Sequence, residues 1–224
     1  MRPIIGIVLR VEYPGETGKL ILREEYRQNV IKHGGIPMGI FPSQLLDYTK
    51  TKTTEQPELS NDEKEMIIEQ LRKCDGVLMP GGFKANKFDR FISEYATEND
   101  IPLLGICLGM QIMANYKKEQ FWVEKNETGI NHNSEIELYH DVTLDKESKL
   151  FSIVKKERFK VRSRHNYHVL PNDYYTVAAL SDDNIIEAIE RKDRKFNIGV
   201  QWHPEDMDDE TSDRLFTEFI NSCK

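Results

Sequence analysis

Along the first hundred residues, short apolar runs alternate with longer stretches in which apolar residues recur every three or four positions among charges. The first pattern is that of strands buried on both faces and the second that of helices laid over them, so together they predict a parallel sheet covered by helices. Ile4-Leu9 reads as the opening strand. From Leu20 to His33, the apolar residues Leu20, Ile21, Leu22, Tyr26 and Val30 stand among charges ahead of Gly34-Gly35, which predicts a helix with a glycine stop. Ile36-Phe41 returns as strand. Pro42 opens a largely polar loop to Leu59, with Leu45, Leu46 and Tyr48 as its only apolar anchors, and much of it is expected to be exposed and mobile. Ser60 and Glu63 then form an S-x-x-E capping pattern before Met66, Ile67, Ile68 and Leu71, marking a helix start. Gly76-Met79 predicts a strand, Asp89-Asn99 a helix, and Ile101-Ile106 a buried strand that ends at Cys107.

Beyond about Phe121 the alternation gives way to shorter runs. Ile136-Leu138, Val142-Leu144 and Tyr175-Leu180 read as antiparallel strands, Phe196-Trp202 as a further strand, and Thr211-Cys223 as a closing helix presenting Leu215, Phe216, Phe219 and Ile220. With no internal repeat or low-complexity linker, residues 1–224 are expected to form a single domain.

Composition narrows the choice of partner. The net charge of −7 gives no general attraction for nucleic acid or anionic lipid, and a small molecule fits better. No apolar run approaches the ~20 residues that span a bilayer, and Met1-Arg2-Pro3 leads straight into the first strand rather than into a secretion signal. Three scattered cysteines, Cys74, Cys107 and Cys223, contain no CxxC pair and read as reduced thiols. A cytoplasmic location is expected.

The chemistry concentrates in Gly105-Ile106-Cys107-Leu108-Gly109-Met110-Gln111, where a nucleophile sits between two glycines at a strand-to-helix corner. Such a corner exposes the thiol to the amides and positive dipole end of the new helix, which favours a thiolate. Alone, the pattern fits a buried structural cysteine equally well. Ile198-Gly199-Val200-Gln201-Trp202-His203-Pro204-Glu205 breaks that tie. In extended chain, positions two apart face the same side, so Glu205 can orient the His203 imidazole while that ring takes and returns a proton. Met79-Pro80-Gly81-Gly82 follows another buried strand, and its glycine amides, with the Leu108 amide after the nucleophile, are candidate oxyanion donors. Without a nucleophile elsewhere, this segment would read as a plain Gly-Gly turn. His165 and His168 lie three apart but bring no third ligand in sequence, so no metal and no cofactor are expected.

Pro-Gly-Gly, Gly-Ile-Cys-Leu-Gly-Met-Gln and Gly-Val-Gln-Trp-His-Pro-Glu, in this order, resemble the class I glutamine amidotransferase superfamily over nearly the whole chain. Gly34-Gly35-Ile36-Pro37 and Val161-Arg162-Ser163-Arg164-His165-Asn166 are similar to the stand-alone γ-glutamyl hydrolase branch, which includes γ-glutamyl-aminobutyrate hydrolases. The resemblance implies an α/β three-layer sandwich with a mainly parallel central sheet, a nucleophile elbow and additional antiparallel strands. It assigns nucleophile, base and orienting acid to Cys107, His203 and Glu205, and the oxyanion hole to Gly82 and Leu108. Substrate recognition falls to Gly81, Gln111, Ser163, Arg164 and His165. Two departures stand out: Leu108 occupies the place where the hydrolase branch usually has an arginine, and Gly81-Gly82-Phe83-Lys84-Ala85-Asn86 is shorter than the branch's Gly-Gly-x-Asp-x-x-Pro segment. Arg10, Lys19, Lys84, Lys87 and Arg90 lie near the expected crevice, where some could meet a carboxylate or phosphate of an anionic leaving group while most read as solvated surface charges.

The reaction implied is attack of Cys107 on a γ-glutamyl amide, a thioester intermediate and release of glutamate. The alternative is a glutaminase subunit that supplies ammonia to a separate synthetase partner.

Overall fold

The computed structural model describes residues 1–12, 18–48, 50–133 and 139–224. Its strands are β1 (Ile4–Val8), β2 (Arg10–Glu12), β3 (Lys19–Ile21), β4 (Ile36–Ile40), β5 (Gly76–Met79), β6 (Leu103–Ile106), β7 (Glu124–Lys125), β8 (Tyr139–Leu144), β9 (Arg158–Arg162), β10 (Tyr167–His168), β11 (Thr176–Ser181), β12 (Ile186–Glu190) and β13 (Asn197–Val200). The helices are α1 (Glu24–Lys32), α2 (Asn61–Leu71), α3 (Lys87–Glu98), α4 (Leu108–Ala114), α5 (Lys149–Val154) and α6 (Glu210–Ser222).

Nine strands form one sheet in the order β4-β1-β5-β6-β13-β12-β11-β8-β9. The first five run parallel, and each later neighbour is antiparallel, which gives the mixed α/β sheet expected from the alternating pattern. Period-two burial sorts its residues between two cores. Ile5, Ile7, Leu78, Leu104 and Ile106 pack on one face with Val30 of α1 and Phe216 and Phe219 of α6. Val77, Met79 and Leu103 pack on the other with Ile67 of α2, Phe88 and Ile92 of α3 and Met113 of α4. Helices therefore cover both faces of the parallel half, in three layers.

Register matters most at one edge. Met79 pairs with Gly105 and Ile106 with Val200, so the carboxyl ends of β5, β6 and β13 stop at a common level. Ligands of open parallel sheets bind in the crevice outside such ends.

Two sequence expectations shift. The helix predicted over 20–33 begins at Glu24, because Leu20 and Ile21 pair with Val11 and Arg10 in a small β2-β3 ribbon instead. Its stop is as expected: Gly34 takes φ 94°, and the Gly35 amide donates back to the Val30 carbonyl at 2.8 Å. In the 42–59 segment Leu45 is fully exposed, and anchoring comes from Tyr48, edge-on to Phe88, from Leu59 and from two buried amides, Gln44 and Gln56. Gln56 donates to Asn86 Oδ1 at 2.7 Å, tying the loop to the start of α3. The strand expected at 136–138 lies outside the described residues. The capping box of α2 forms: the Ser60 amide donates to Glu63 Oε2 at 2.8 Å, and the Glu63 amide to Ser60 Oγ at 3.3 Å. No helix among the described residues is long and apolar enough to cross a membrane.

Candidate active site

Cys107 occupies the corner between β6 and α4 with φ 52° and ψ −107°, a conformation that costs a non-glycine residue about 1–3 kcal/mol and persists only where its surroundings enforce it. Two glycines enforce it. A Cβ on Gly105 would strike the Met113 sulfur and the Gly109 and Met110 backbone, and one on Gly109 would strike the Met79 carbonyl of β5. Only hydrogen at both positions lets β6 turn so tightly into α4. The Cys107 amide is held by the Val200 carbonyl at 2.8 Å, and the first amide bonded within the helix is that of Gln111, to the Cys107 carbonyl at 3.1 Å. The Leu108 amide is therefore left outside the helical ladder, beside the thiol. Cys107 itself is 6% exposed.

The imidazole arrives from the neighbouring strand end. His203 follows β13, its amide bonded to the Arg162 carbonyl at 2.8 Å, and its Nδ1 meets Glu205 Oε1 at 2.6 Å. Glu205 sits in the short helical turn Pro204–Asp206, which fixes the i, i+2 approach foreseen from the sequence. His203 Nε2 is buried on the Cys107 side with no hydrogen-bond acceptor, placed to exchange a proton with substrate. A methyl built on Gly81 would lie 3.0 Å from His203 Cε1 and 3.5 Å from Cys107 Cβ, so sulfur and imidazole flank the same small space. Burial opposes charge on His203, but Glu205 and Cys107 outweigh it and hold the imidazole well above its ordinary range, at about 10. Burial likewise disfavours charge on Glu205, yet His203, with help from Tyr26, keeps its carboxyl below its usual value.

Tyr26 was legible only as one apolar position of α1. It is fully buried, and its phenol oxygen accepts the Gly81 amide at 3.0 Å while lying against Glu205. The same peptide unit is gripped from its other end: Arg10 Nη2 and Nε donate to the Pro80 carbonyl at 2.6 and 3.2 Å. Arg10 also pairs with Asp89, which is buried beneath it at the start of α3. Gly82 comes next, where a Cβ would reach 3.1 Å from both Arg10 Cδ and Leu108 Cδ2. Gly82 and Leu108 both line the cavity beside Cys107, and neither amide donates a hydrogen bond among the described residues.

A cavity of about 850 Å³ opens over these groups, lined by Cys107, His203, Gly82, Gln111, Phe83 and Tyr167 among others. Gln111 is committed: its Nε2 donates to the Tyr167 carbonyl at 3.0 Å and to Gln201 Oε1 at 3.2 Å, holding the facing loop. Arg164 lines the cavity while its guanidinium contacts Asp206 and stands 3.9 Å from Glu205. Ser163 is buried with an unpartnered Oγ. His165 borders the cavity, but its Nε2 faces Glu187 at 3.4 Å in a separate buried cluster.

The basic group suggested for an anionic leaving group does not converge. Arg10 is spent on Asp89 and Pro80, Lys84 on the Tyr48 and Thr51 carbonyls, Lys87 on Glu58 at 2.5 Å, and Arg90 on the Lys118 and Glu119 carbonyls. Lys19 is solvent-exposed on β3.

A model of class-I glutamine amidotransferases matches residues 43–222. The chain is 29% identical to the imidazole glycerol phosphate synthase subunit HisH of Pelagibacter ubique, over 72% of this chain and 86% of that one. It is 27% identical to the CTP synthase of Desulfovibrio desulfuricans over 93% of its own length, but spans only 45% of that enzyme, and 37% of the CTP synthase of Coprothermobacter proteolyticus. The glutaminase domain of Trypanosoma brucei CTPS, solved with bound acivicin, superposes with a TM-score of 0.66 at 20% identity, covering 99% of this chain and 93% of that one.

Proposed function

We propose, starting from the fact that this chain belongs to the class-I glutamine amidotransferase family, that it hydrolyses a γ-glutamyl amide through a thioester on Cys107. Hydrolysis of the glutamine amide carbon–nitrogen bond is the general chemistry; the finer reading concerns which residues carry it and what leaves. One observation carries it: Cys107 and the Glu205-paired His203 border one cavity, with Gly82 and Leu108 on its wall.

In this reading the Cys107 sulfur attacks the γ-carbonyl carbon, and the carbon–oxygen π pair moves onto oxygen. The Gly82 and Leu108 amides receive that oxyanion. As it collapses, the carbon–nitrogen bond breaks and His203 gives its proton to the departing amine. Water then attacks the thioester, with the same imidazole taking its proton, and glutamate and free thiol result. Glu205 fixes the ring tautomer and stabilises the imidazolium, as the acid of a nucleophile–base–acid set does. Gly81, Gln111, Arg164 and His165 lie on the cavity wall that would face the glutamyl portion, whereas Ser163 is buried behind it. Two of these act indirectly: Gln111 by holding the Tyr167 loop and Arg164 by steadying the segment that bears Glu205. Among the described residues no lysine lines the cavity, and the arginines that do are paired, Arg10 with Asp89 and Arg23 and Arg164 with Asp206, while Phe83, 93% exposed at the cavity mouth, offers the leaving amine an apolar edge.

A second reading is supported by the named relatives, a synthase subunit and part of CTP synthases: ammonia released here would pass to a separate synthetase. Purified chain should release glutamate from a panel of γ-glutamyl amides, and Cys107→Ala should release none. Turnover of glutamine only after a synthetase is added would favour the second reading. Normal hydrolysis by Cys107→Ala would reject both.

A further inference from the structure

Three of the six histidines lie away from Cys107, buried together on the antiparallel half of the sheet. His132 comes from the segment after β7, His140 from β8, His165 from the turn after β9, and Glu187 from β12. Their side chains are almost wholly excluded from solvent. His132 Nδ1, His165 Nε2 and His140 Nε2 approach a single oxygen, Glu187 Oε1, at 3.1, 3.4 and 3.5 Å. None of these four atoms has a hydrogen-bond partner, and Glu187 Oε2 has none either.

The opposite nitrogens explain why. His132 Nε2 meets Asp183 Oδ2 at 2.9 Å, His165 Nδ1 meets the Tyr167 carbonyl at 3.0 Å with Asn126 Nδ2 at 3.2 Å beside it, and His140 Nδ1 meets the Asp141 carbonyl at 3.2 Å. An imidazole that donates its one N–H to such an oxygen turns a lone pair the other way. With that tautomer, three lone pairs and a carboxylate face each other in a dry space, an arrangement that a cation in the middle relieves.

We propose that His132, His140, His165 and Glu187 hold a divalent transition-metal ion of the zinc class. Ligands about 2.0–2.2 Å from a tetrahedral ion stand about 3.4 Å apart, which matches the three nitrogen–oxygen separations. All four ligand atoms lie within 4.8 Å of one another, and small ring rotations close the wider pairs onto the ion. Imidazole with a carboxylate selects zinc and its neighbours over magnesium or calcium, which take oxygen donors. The charge of a divalent ion is met by Glu187 inside the shell and by Asp183 behind His132. Four protein ligands leave no open position, so the role is structural. The ion pins the turn carrying Arg164, His165 and Tyr167, a wall of the cavity, to β8 and β12. His168, which the sequence places three residues from His165, stays outside the cluster: its Nδ1 meets Asn126 Oδ1 at 2.9 Å.

The test uses untagged full-length chain, purified without chelator from zinc-supplemented culture, and elemental analysis by mass spectrometry. About one zinc per chain is expected in the wild type and in His168→Ala, and far less in Glu187→Gln and His140→Ala. Cobalt(II) added to metal-stripped wild type should give the intense visible bands of a tetrahedral site. Because that measurement needs no variant, misfolding of Glu187→Gln, checked by far-UV circular dichroism, does not blunt it. Wild type that carries no metal and gives no tetrahedral cobalt spectrum overturns the proposal, as does metal retained unchanged by both ligand variants.

Discussion

The two halves of the sheet handle buried histidine in opposite ways. Where the strands are parallel, His203 stands alone at a strand end, one nitrogen on a carboxylate and the other free toward an 850 Å³ cavity. Where they are antiparallel, three imidazoles turn inward on one carboxylate with no cavity for a substrate between them. Parallel strands end together, so groups placed just past them look outward into a shared crevice. Antiparallel strands and their turns cross-link residues from several segments into a closed interior. The difference teaches where to look for turnover and where for cohesion: an unspent nitrogen beside space is a reagent, whereas unspent nitrogens facing each other make a cage.

The sharpest break between the halves is Cys107→Ala. It should lower γ-glutamyl amide turnover by about 10⁴-fold or more while leaving the melting temperature near that of wild type, read by initial rates and calorimetry. Glu205→Gln should lower kcat by about 10³-fold, because the imidazole loses the partner that fixes its tautomer and charge. An unchanged kcat would remove Glu205 from the mechanism. Gly109→Ala tests the packing instead: its Cβ meets the Met79 carbonyl, so unfolding free energy should fall by about 3 kcal/mol in denaturant titration. Tyr26→Phe is milder, losing the acceptor of the Gly81 amide and a contact to Glu205, and should cost about 10-fold in kcat with little change in KM.

A last contrast is a pH dependence. The folded-state affinity of His203 for its proton is raised, so the imidazolium's contribution to stability is whole below the unfolded value of about 6.5 and fades as pH climbs toward about 10. Wild type should therefore lose melting temperature between pH 7 and 10 relative to His203→Gln. Parallel curves for the two proteins would mean that His203 is not held protonated.

Much of the parallel half was readable, because it is built from local signals: the capping box at Ser60, the glycine stop at Gly34 and the glycine-flanked Cys107 each act within a few residues. Helix α1 was read too long at its start because a three-residue ribbon pairing Leu20 with Val11 leaves no periodic trace. Tyr26 counted as an apolar helical position, and nothing local reveals that its hydroxyl meets Gly81, 55 residues away. The basic residues were placed near the crevice by the strand order, but the heads of Arg10, Lys84, Lys87 and Arg90 are bound by carbonyls and carboxylates that only folding brings close. The histidine cluster fails to register for the same reason. Its members come from four segments, and spacing rules that find zinc fingers depend on ligands sharing one turn.

The peptide between Pro80 and Gly81 deserves its last word from geometry: a planar trans unit points its carbonyl and its N–H in opposite directions, and here a guanidinium holds one end while a phenol holds the other. To rotate, it would have to surrender a charged bond buried against Asp89 and an amide bond inside the core at once. Under the proposed chemistry such a unit has no second resting orientation, so readiness is built in at folding rather than conferred by an arriving protein. Control of an enzyme of this kind would fall to the supply of substrate.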